Sequence, residues 1–208
     1  MTAKSTLMIA TRNPGKFREI AAFFADLPLN LKSLKDEPRI GVIEEDGRTF
    51  VENALKKARV VWKVTGGTGT SPAGGFVLAD DSGLVCDDLS GRPGVGSARF
   101  AGPKATDDEN NRQLIEELNG VHDPSRTARY ICALVLVDPE GKETVVEETC
   151  EGIITLQPAG TGGFGYDPYF YVPSHRCTMA EIPLKVKNEI SHRGKALKKM
   201  HEFLKKHL

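Results

Sequence analysis

The hydrophobic pattern of this 208-residue chain predicts short buried strands separated by amphipathic helices. The apolar run at residues 7–10 predicts a strand. Asn13 followed by Pro14 then predicts a helix start, because asparagine caps helices and proline fits their first turn. One face of this helix is apolar at i, i+3, i+4 and i+7 spacing. This face consists of Phe17, Ile20, Ala21 and Phe24.

Two further helices are predicted from capping boxes, in which a threonine precedes a glutamate by three residues. Thr49 and Glu52 predict a helix over residues 50–64. Thr106 and Glu109 predict another that ends near residue 118, before an Asn-Gly pair. A final helix is predicted from about residue 191. The inward positions of the helix over residues 50–64 are Phe50, Ala54, Ala58 and Val61. Those of the final helix are Leu197, Met200 and Leu204.

The remaining apolar runs predict strands. Residues 76–79 follow a glycine-rich stretch at 66–75 that is typical of a flexible loop. Residues 127–137 and 143–155 are rich in β-branched side chains and flank turn residues at 138–141, which predicts a hairpin. Residues 169–172 predict one more strand. Alternating helices and strands with one long hairpin predict a mixed-sheet α/β fold, in a single domain over residues 1–208.

Composition narrows the class of protein. The 28 basic residues are balanced by 28 acidic ones, so the net charge is zero. A protein that binds nucleic acid in general is expected to carry a net positive charge, so this class is disfavoured. The four cysteines are far apart and lack C-x-x-C spacing, which favours reduced thiols over zinc or a redox pair. No apolar run is long enough for a signal-peptide core or a membrane span. We therefore expect a cytoplasmic protein that binds a small ligand.

The first segment with candidate chemistry lies where the first strand meets the first helix. Backbone N–H groups at a helix start attract phosphate, and Lys16 adds a positive charge one turn in. Ordinary capping by Asn13, beside a solvated lysine, is the alternative. The candidate phosphate-binding residues are Thr11, Arg12, Asn13, Pro14, Gly15 and Lys16.

Acidic residues are concentrated in two places. Residues 44–46 are acidic within a predicted loop, and Asp80, Asp81 and Ser82 come directly after a predicted strand. Carboxylates at a strand end suit Mg²⁺, and one of them can also take a proton from an attacking water. The alternatives are a solvated charged loop and a simple turn ahead of Gly83.

A glycine-rich segment at residues 159–168 contains two aromatic rings. It includes the spacing G-x-G-x-x-G, but Pro168 and further aromatic residues follow instead of a helix, so dinucleotide binding is rejected. Phe164 and Tyr166 offer flat surfaces for a base, and Asp167 offers hydrogen-bond acceptors for its edge. A structural glycine turn with core aromatic rings is the alternative.

A basic cluster at residues 185–195 enters the last predicted helix. Lysine and arginine at a helix start could hold a phosphate or a carbonyl oxygen, and a solvated basic face is the alternative. Ser82, His192 and an aspartate could be drawn as a hydrolase triad. The chain has no G-x-S-x-G elbow, however, which disfavours that interpretation.

Six segments, taken in order, resemble the inosine triphosphate pyrophosphatase family, also called Ham1-like. They read IATRNPGK, TFVENA, ADDSGL, PGV with SARF, GGFGYDP and ISHRGKAL. The resemblance covers nearly the whole chain. It implies an elongated mixed sheet flanked by helices, in two lobes with a central nucleotide cleft, and a homodimer.

The resemblance also implies roles for single residues. Asp81 would bind Mg²⁺ and act as the base, and Glu44 would be the second acidic ligand, with its neighbour Glu45 as the alternative. Lys57 would be a further candidate phosphate ligand beside Thr11, Asn13 and Lys16. The remaining residues would contact the substrate, chiefly around the purine. They are Ser82, Phe164, Gly165, Tyr166, Asp167, Lys187, His192 and Arg193.

The implied reaction is Mg²⁺-dependent hydrolysis of non-standard purine nucleotides, namely ITP, dITP and XTP, to the monophosphate and pyrophosphate. A donor such as Arg193 aimed at a 6-keto oxygen would reject the 6-amino group of adenine. The competing class is a regulatory module that binds nucleotides without chemistry. The presence of Asp81, Glu44 and Lys16 argues against it, because a sensor needs no metal-held water.

Overall fold

The computed structural model describes residues 4–65, 75–120 and 125–208. Contacts divide these residues into two compact units. The first unit takes its residues from the ranges 1–81, 133–147 and 196–208, and the second from 82–132 and 148–195. The single domain over residues 1–208, the elongated shape and the cleft stay predictions.

The described residues form a mixed α/β fold, as predicted. Seven strands form one sheet in the order β2-β1-β3-β4-β5-β6-β7. The strands are β1 (Ser5–Ile9), β2 (Leu29–Ser33), β3 (Gly75–Cys86), β4 (Thr127–Val137), β5 (Glu143–Ile154), β6 (Phe170–Val172) and β7 (Cys177–Thr178). The helices are α1 (Pro14–Phe23), α2 (Phe50–Thr65), α3 (Asp107–Asn119), α4 (Leu184–Ile190) and α5 (His192–His207). Strand β1 is parallel to β2 and β3, whereas β6 is antiparallel to β5 and β7.

Helix α2 of the first unit buries the face that its spacing predicts, whereas α1 buries only part of its predicted face. Ile20 of α1 and Phe24, which directly follows the helix, are buried, whereas Phe17 and Ala21 are half-buried. The inward positions of α2, namely Phe50, Ala54, Ala58 and Val61, are buried as well. Half of the predicted capping box of α2 forms. Thr49 Oγ1 accepts the N–H of Glu52 (3.1 Å), but the Glu52 carboxylate accepts the N–H of Arg48 (2.6 Å).

The second unit has its own apolar core, to which α3 contributes. Both bonds of the predicted capping box between Thr106 and Glu109 are present at the start of α3. Leu114 and Leu118 then pack into the core with Tyr166 and Phe170. The hydrophobic pattern and the capping residues are therefore sufficient to position this helix.

The predicted hairpin and final helix are confirmed. Strands β4 and β5 are neighbours, and Asp138 closes the turn between them by accepting N–H bonds from Glu140 and Lys142. Helix α5 begins at His192, after Ser191, whose Oγ accepts the N–H of Gly194 (3.1 Å). Its predicted inner face is fully buried and consists of Leu197, Met200 and Leu204.

Several features differ from the sequence prediction. Strand β3 continues to Cys86, so Asp80 and Asp81 lie inside a buried strand rather than after one. The short strands β2 and β7 and the helix α4 were not predicted. Aspartate, serine and glycine have weak strand propensity. In β3 this is outweighed by backbone pairing in the sheet and by the ion pairs of the two aspartates.

Two predictions concern the cysteines and the presence of membrane-spanning segments. The structure describes all four cysteines and no disulfide joins them; Cys177 is half-buried and the other three are buried. Within residues 4–65, 75–120 and 125–208, no helix combines the length and the apolar character needed to cross a bilayer. The predicted flexible loop at 66–75 lies outside the described residues, apart from Gly75, which begins β3.

Candidate active site

The predicted phosphate-binding segment forms a capped helix start. Asn13 Oδ1 accepts the N–H groups of Gly15 (2.8 Å) and Lys16 (3.1 Å), and Thr11 Oγ1 accepts the N–H of Asn13 (3.1 Å). Pro14 occupies the first helical position. The capping predicted as the alternative is therefore real, and it holds the segment in a fixed conformation at the end of β1.

The two cations of this segment each contact a neighbouring element. Lys16 forms an ion pair with Asp80 on β3. The guanidinium of Arg12 donates to the carbonyl of Ile40, in the segment that leads to the acidic loop. Lys16 thus faces the carboxylates of β3, whereas Arg12 braces the chain that precedes Glu44 and Glu45.

Lys57 on α2 is the centre of a buried cluster of charges. Its Nζ atom donates to Glu45 Oε1 (2.7 Å), to the Asp80 carbonyl (2.6 Å) and to Asp81 Oδ1 (3.2 Å). An ammonium group has three donors, so these three acceptors use all of them. Asn53, one turn earlier on α2, donates to Asp81 Oδ2 (3.0 Å).

Asn53 has no role predicted from the sequence. Its Oδ1 atom accepts the N–H of Gly47 (2.7 Å) while its Nδ2 atom holds Asp81. The amide therefore ties the acidic loop and β3 to α2. The segment TFVENA contains Asn53, but nothing in its spacing indicates that an amide at this place would orient a carboxylate.

Burial and charge determine the protonation of this cluster. Burial raises the pKa of Asp81 above its usual value, and the positive charge of Lys57 opposes that rise. Burial acts to lower the pKa of Lys57, but the charges of Asp81 and Glu45 outweigh it, so its pKa is raised. Lys57 therefore stays protonated, and Asp81 is a stronger base than an exposed aspartate.

The structure brings Glu45, rather than Glu44, to Asp81. Glu45 is partly buried and bonded to Lys57, whereas Glu44 is exposed and lines a surface with Val42, Lys56 and Val60. The geometry therefore favours Glu45 as the second acidic residue of the site, which was the alternative in the sequence analysis.

The carboxylates of this cluster fit a hard divalent cation. Asp81 and Glu45 converge on one ammonium group, so their oxygens lie close together. No group of three or more His, Cys, Asp or Glu residues placed to hold a metal occurs among the described residues. Mg²⁺ typically takes one or two carboxylates, with water and phosphate as its other ligands, so two carboxylates are enough.

The second unit contains the predicted purine-binding residues, organised around Asp167. This buried carboxylate accepts the N–H of Phe164 (3.0 Å) and the Nζ atom of Lys187 (2.6 Å) through its Oδ2 atom. Both Asp167 and Lys187 are buried, so the pair is shielded from solvent. The ion pair fixes the start of the loop at residues 164–167 against α4.

Phe164 is the ring that this loop exposes. It is 40% exposed, with Lys187 Nζ 5.1 Å and Arg193 Cζ 5.4 Å from its centroid, which are cation–π distances. Arg193 also donates to Ser82 Oγ (2.9 Å). The ring of Tyr166 is buried instead, and its hydroxyl donates to the carbonyl of Ser97 (2.7 Å). Of the two predicted stacking surfaces, only Phe164 is therefore presented to solvent.

His192 is buried and packs against the aromatic core of the second unit. Its ring stacks on Tyr130, with centroids 4.7 Å apart and planes at 17°. Tyr130 is buried and also packs on Phe170 (4.5 Å). Ser82 is bonded to Arg193. This packing matches the common structural role of a buried histidine.

The fold and the charged cluster define an α/β protein in which a buried lysine holds two acidic side chains beside a strand of a mixed sheet. The model of the Ham1 family matches residues 7–203. A Geobacter sulfurreducens protein named dITP/XTP pyrophosphatase is 51% identical over 202 residues, which are 97% of this chain and 96% of that protein. This chain belongs to the Ham1 family.

Solved structures agree with this assignment. A HAM1 protein from Coxiella burnetii has a TM-score of 0.87 and 39% identity, covering 97% of this chain and 99% of that one. The Staphylococcus aureus Ham1 protein has a TM-score of 0.85 and 33% identity, covering 98% and 100%. The similarity therefore extends over almost the full length of each chain.

Proposed function

We propose that this chain is a pyrophosphatase that hydrolyses ITP, dITP and XTP to the nucleoside monophosphate and pyrophosphate, and so removes these nucleotides from the pool used for DNA and RNA. The observation that carries the proposal is the buried cluster in which Lys57 holds Asp81 and Glu45. The relative from Geobacter sulfurreducens, which bears the name dITP/XTP pyrophosphatase, supports the substrate class.

Asp81 is the proposed general base. A water oxygen attacks the α-phosphorus, the bond from that phosphorus to the bridging oxygen breaks, and pyrophosphate leaves. The proton of the water passes to Asp81, whose pKa is raised by burial and which therefore holds a proton more readily than an exposed aspartate. Asn53 and Lys57 each occupy one of its oxygens and fix their orientation, and each oxygen keeps a second lone pair, so that one would be left for the water and one for a metal ion.

Asp81 and Glu45 are the proposed ligands of Mg²⁺, with Glu44 retained as the sequence-based alternative. When bound, the ion neutralises phosphate charge. Lys57 keeps the two carboxylates in place, because its ammonium contacts both. Lys16 is placed at the start of α1, where its charge and the capped helix end attract the phosphates.

The residues around Phe164 match the other part of the substrate. An exposed aromatic ring offers a stacking surface for a purine, and Arg193 and Lys187 beside it are donors for a 6-keto oxygen. Adenine would place its own 6-amino donor against these cations. We further propose that the protein acts in the cytoplasm as a homodimer.

The test of the proposed function is an assay with purified protein and Mg²⁺. ITP, XTP, GTP and ATP are supplied separately, and pyrophosphate is scored apart from orthophosphate. We expect pyrophosphate mainly from ITP and XTP, with none formed in EDTA. Orthophosphate as the product would identify a different phosphatase. Nucleotide binding without any product would favour the regulatory module.

Arg193→Ala is expected to reduce the preference for ITP over ATP about tenfold or more, because the donor that favours a 6-keto group is lost. The ratio of kcat/KM for the two substrates measures the effect. Arg92→Ala is the matched control, since Arg92 also lies in the second unit but pairs with Glu117 on its surface. An unchanged ratio in the Arg193 variant would refute the donor role.

A further inference from the structure

Two side chains of α3 hold the backbone of Gly165, the residue that follows Phe164. Asp107 Oδ2 accepts the N–H of Gly165 (2.7 Å), and Asn111 Nδ2 donates to its carbonyl (2.9 Å). Asp107 and Asn111 are four residues apart, so they lie on the same face of the helix. One helix face therefore satisfies both backbone polar groups of a single loop residue.

Gly165 needs such contacts to keep one conformation. Its φ angle is +62°, in the left-handed region, and no heavy atom lies within 4 Å of an ideal Cβ there. The glycine is thus required by the backbone conformation rather than by lack of space. Because glycine has the widest conformational freedom of all residues, the two bonds from α3 select the conformation that the loop adopts.

The polar character of Asn111 is explained by this contact. Its side chain is buried, and its Oδ1 atom has no hydrogen-bond partner among the described residues. The Gly165 carbonyl requires a donor, so the amide cannot turn to pair its oxygen instead. An unpaired buried acceptor lowers the stability of the folded protein, because it loses its hydration without gaining a hydrogen bond. An apolar side chain of the same shape would avoid this cost. The bond to Gly165 is therefore what asparagine adds at this position.

We propose that Asp107 and Asn111 are positioning residues for purine recognition. By fixing Gly165 they hold the ring of Phe164 at its cation–π distances from Lys187 and Arg193. The inference rests on the proposed function, because it assigns the face of Phe164 to the base. It requires that loss of either residue weakens base binding and leaves the hydrolytic step intact.

The experiment compares Asn111→Leu and Asp107→Ala with the control Asp108→Ala. Asp108 is exposed, lies in the same helical turn and carries the same charge. The dissociation constant of inosine monophosphate is measured by calorimetry, and KM and kcat are measured with ITP. We expect the first two variants to weaken binding and raise KM about fivefold, with kcat changed less than about twofold. The control is expected to match the wild type.

A conservative variant and amide exchange separate a positioning role from a structural one. Asp107→Asn keeps an oxygen acceptor and is expected to restore most of the binding that Asp107→Ala loses. The amide of Gly165 is expected to exchange faster with solvent in both Asp107→Ala and Asn111→Leu, in protein that remains folded by circular dichroism.

Several outcomes would overturn the inference. Unchanged affinity for inosine monophosphate and unchanged KM in either variant would do so, as would a loss of kcat at constant KM. A wild-type protein that releases no pyrophosphate from ITP would refute the proposed function. In that case the affinity for inosine monophosphate and the rate of hydrogen exchange at the Gly165 amide still test the positioning role, because neither depends on hydrolysis.

Discussion

Replacing Asp81 with asparagine is expected to lower kcat for ITP at least about a hundredfold, because the amide cannot take a proton from the attacking water. The variant should remain folded, since an amide of the same shape removes a charge whose burial raises the pKa of Asp81. Steady-state release of pyrophosphate measures the loss, and thermal unfolding verifies the fold.

Asp46→Asn is the control for the Asp81 variant. Asp46 belongs to the acidic loop but is exposed and pairs with Lys56 (2.6 Å). Its replacement should leave kcat within about twofold of wild type, because exposed pairs contribute little. Turnover close to normal in Asp81→Asn would remove Asp81 from the role of base, whatever the behaviour of the control.

Lys57→Met is expected to lower the free energy of unfolding by about 3 kcal/mol, because it leaves the buried Asp81 carboxylate without its cation. This value is at the low end of the range for broken buried pairs, since Glu45, the other carboxylate that contacts Lys57, is one-third exposed. We also expect kcat to fall about a hundredfold, since the base and a proposed metal ligand lose their common partner. Urea unfolding in EDTA and pyrophosphate release measure the two effects.

The destabilisation in Lys57→Met should increase with pH. Lys57 lowers the pKa of Asp81, so its removal raises that pKa further above the unfolded value. A carboxyl group with a raised pKa contributes stability below its unfolded pKa and loses it as pH rises through the folded pKa. The variant should therefore lose most stability, relative to wild type, near neutral pH.

Lys56→Met provides the comparison for Lys57→Met. Lys56 is the neighbouring lysine on α2, and its ion pair with Asp46 is largely exposed. Its replacement should change the free energy of unfolding by less than about 1 kcal/mol at any pH. Equal losses in the two variants would contradict the view that Lys57 acts through the buried carboxylates.

The elements with strong local signals could be predicted from the sequence. Capping residues such as Asn13 and Thr106 determine where their helices begin, because they satisfy backbone groups of the first turn. The turn at Asp138 similarly determines the hairpin between β4 and β5. Strand β2 has only five residues and alternates weakly, so its formation depends on pairing with β1.

In the candidate site, too, residue types could be predicted from the sequence, whereas contacts could not. The charges of Lys16, Asp81 and Arg193 made them candidates from the sequence, and their roles stay predictions. The sequence could not choose between Glu44 and Glu45, because adjacent side chains on an extended loop point in different directions. Only the contact with Lys57 selects Glu45.

The amino-acid sequence by itself determined the mixed α/β fold, the residues with candidate chemistry and their order along the chain, because these depend on local pattern and residue type. The tertiary structure alone decided which groups meet. It buried Asp81 inside β3, placed Tyr166 in the core and exposed Phe164. It also joined Asn111 to Gly165. Such contacts depend on packing between residues distant in sequence, and no local pattern encodes them.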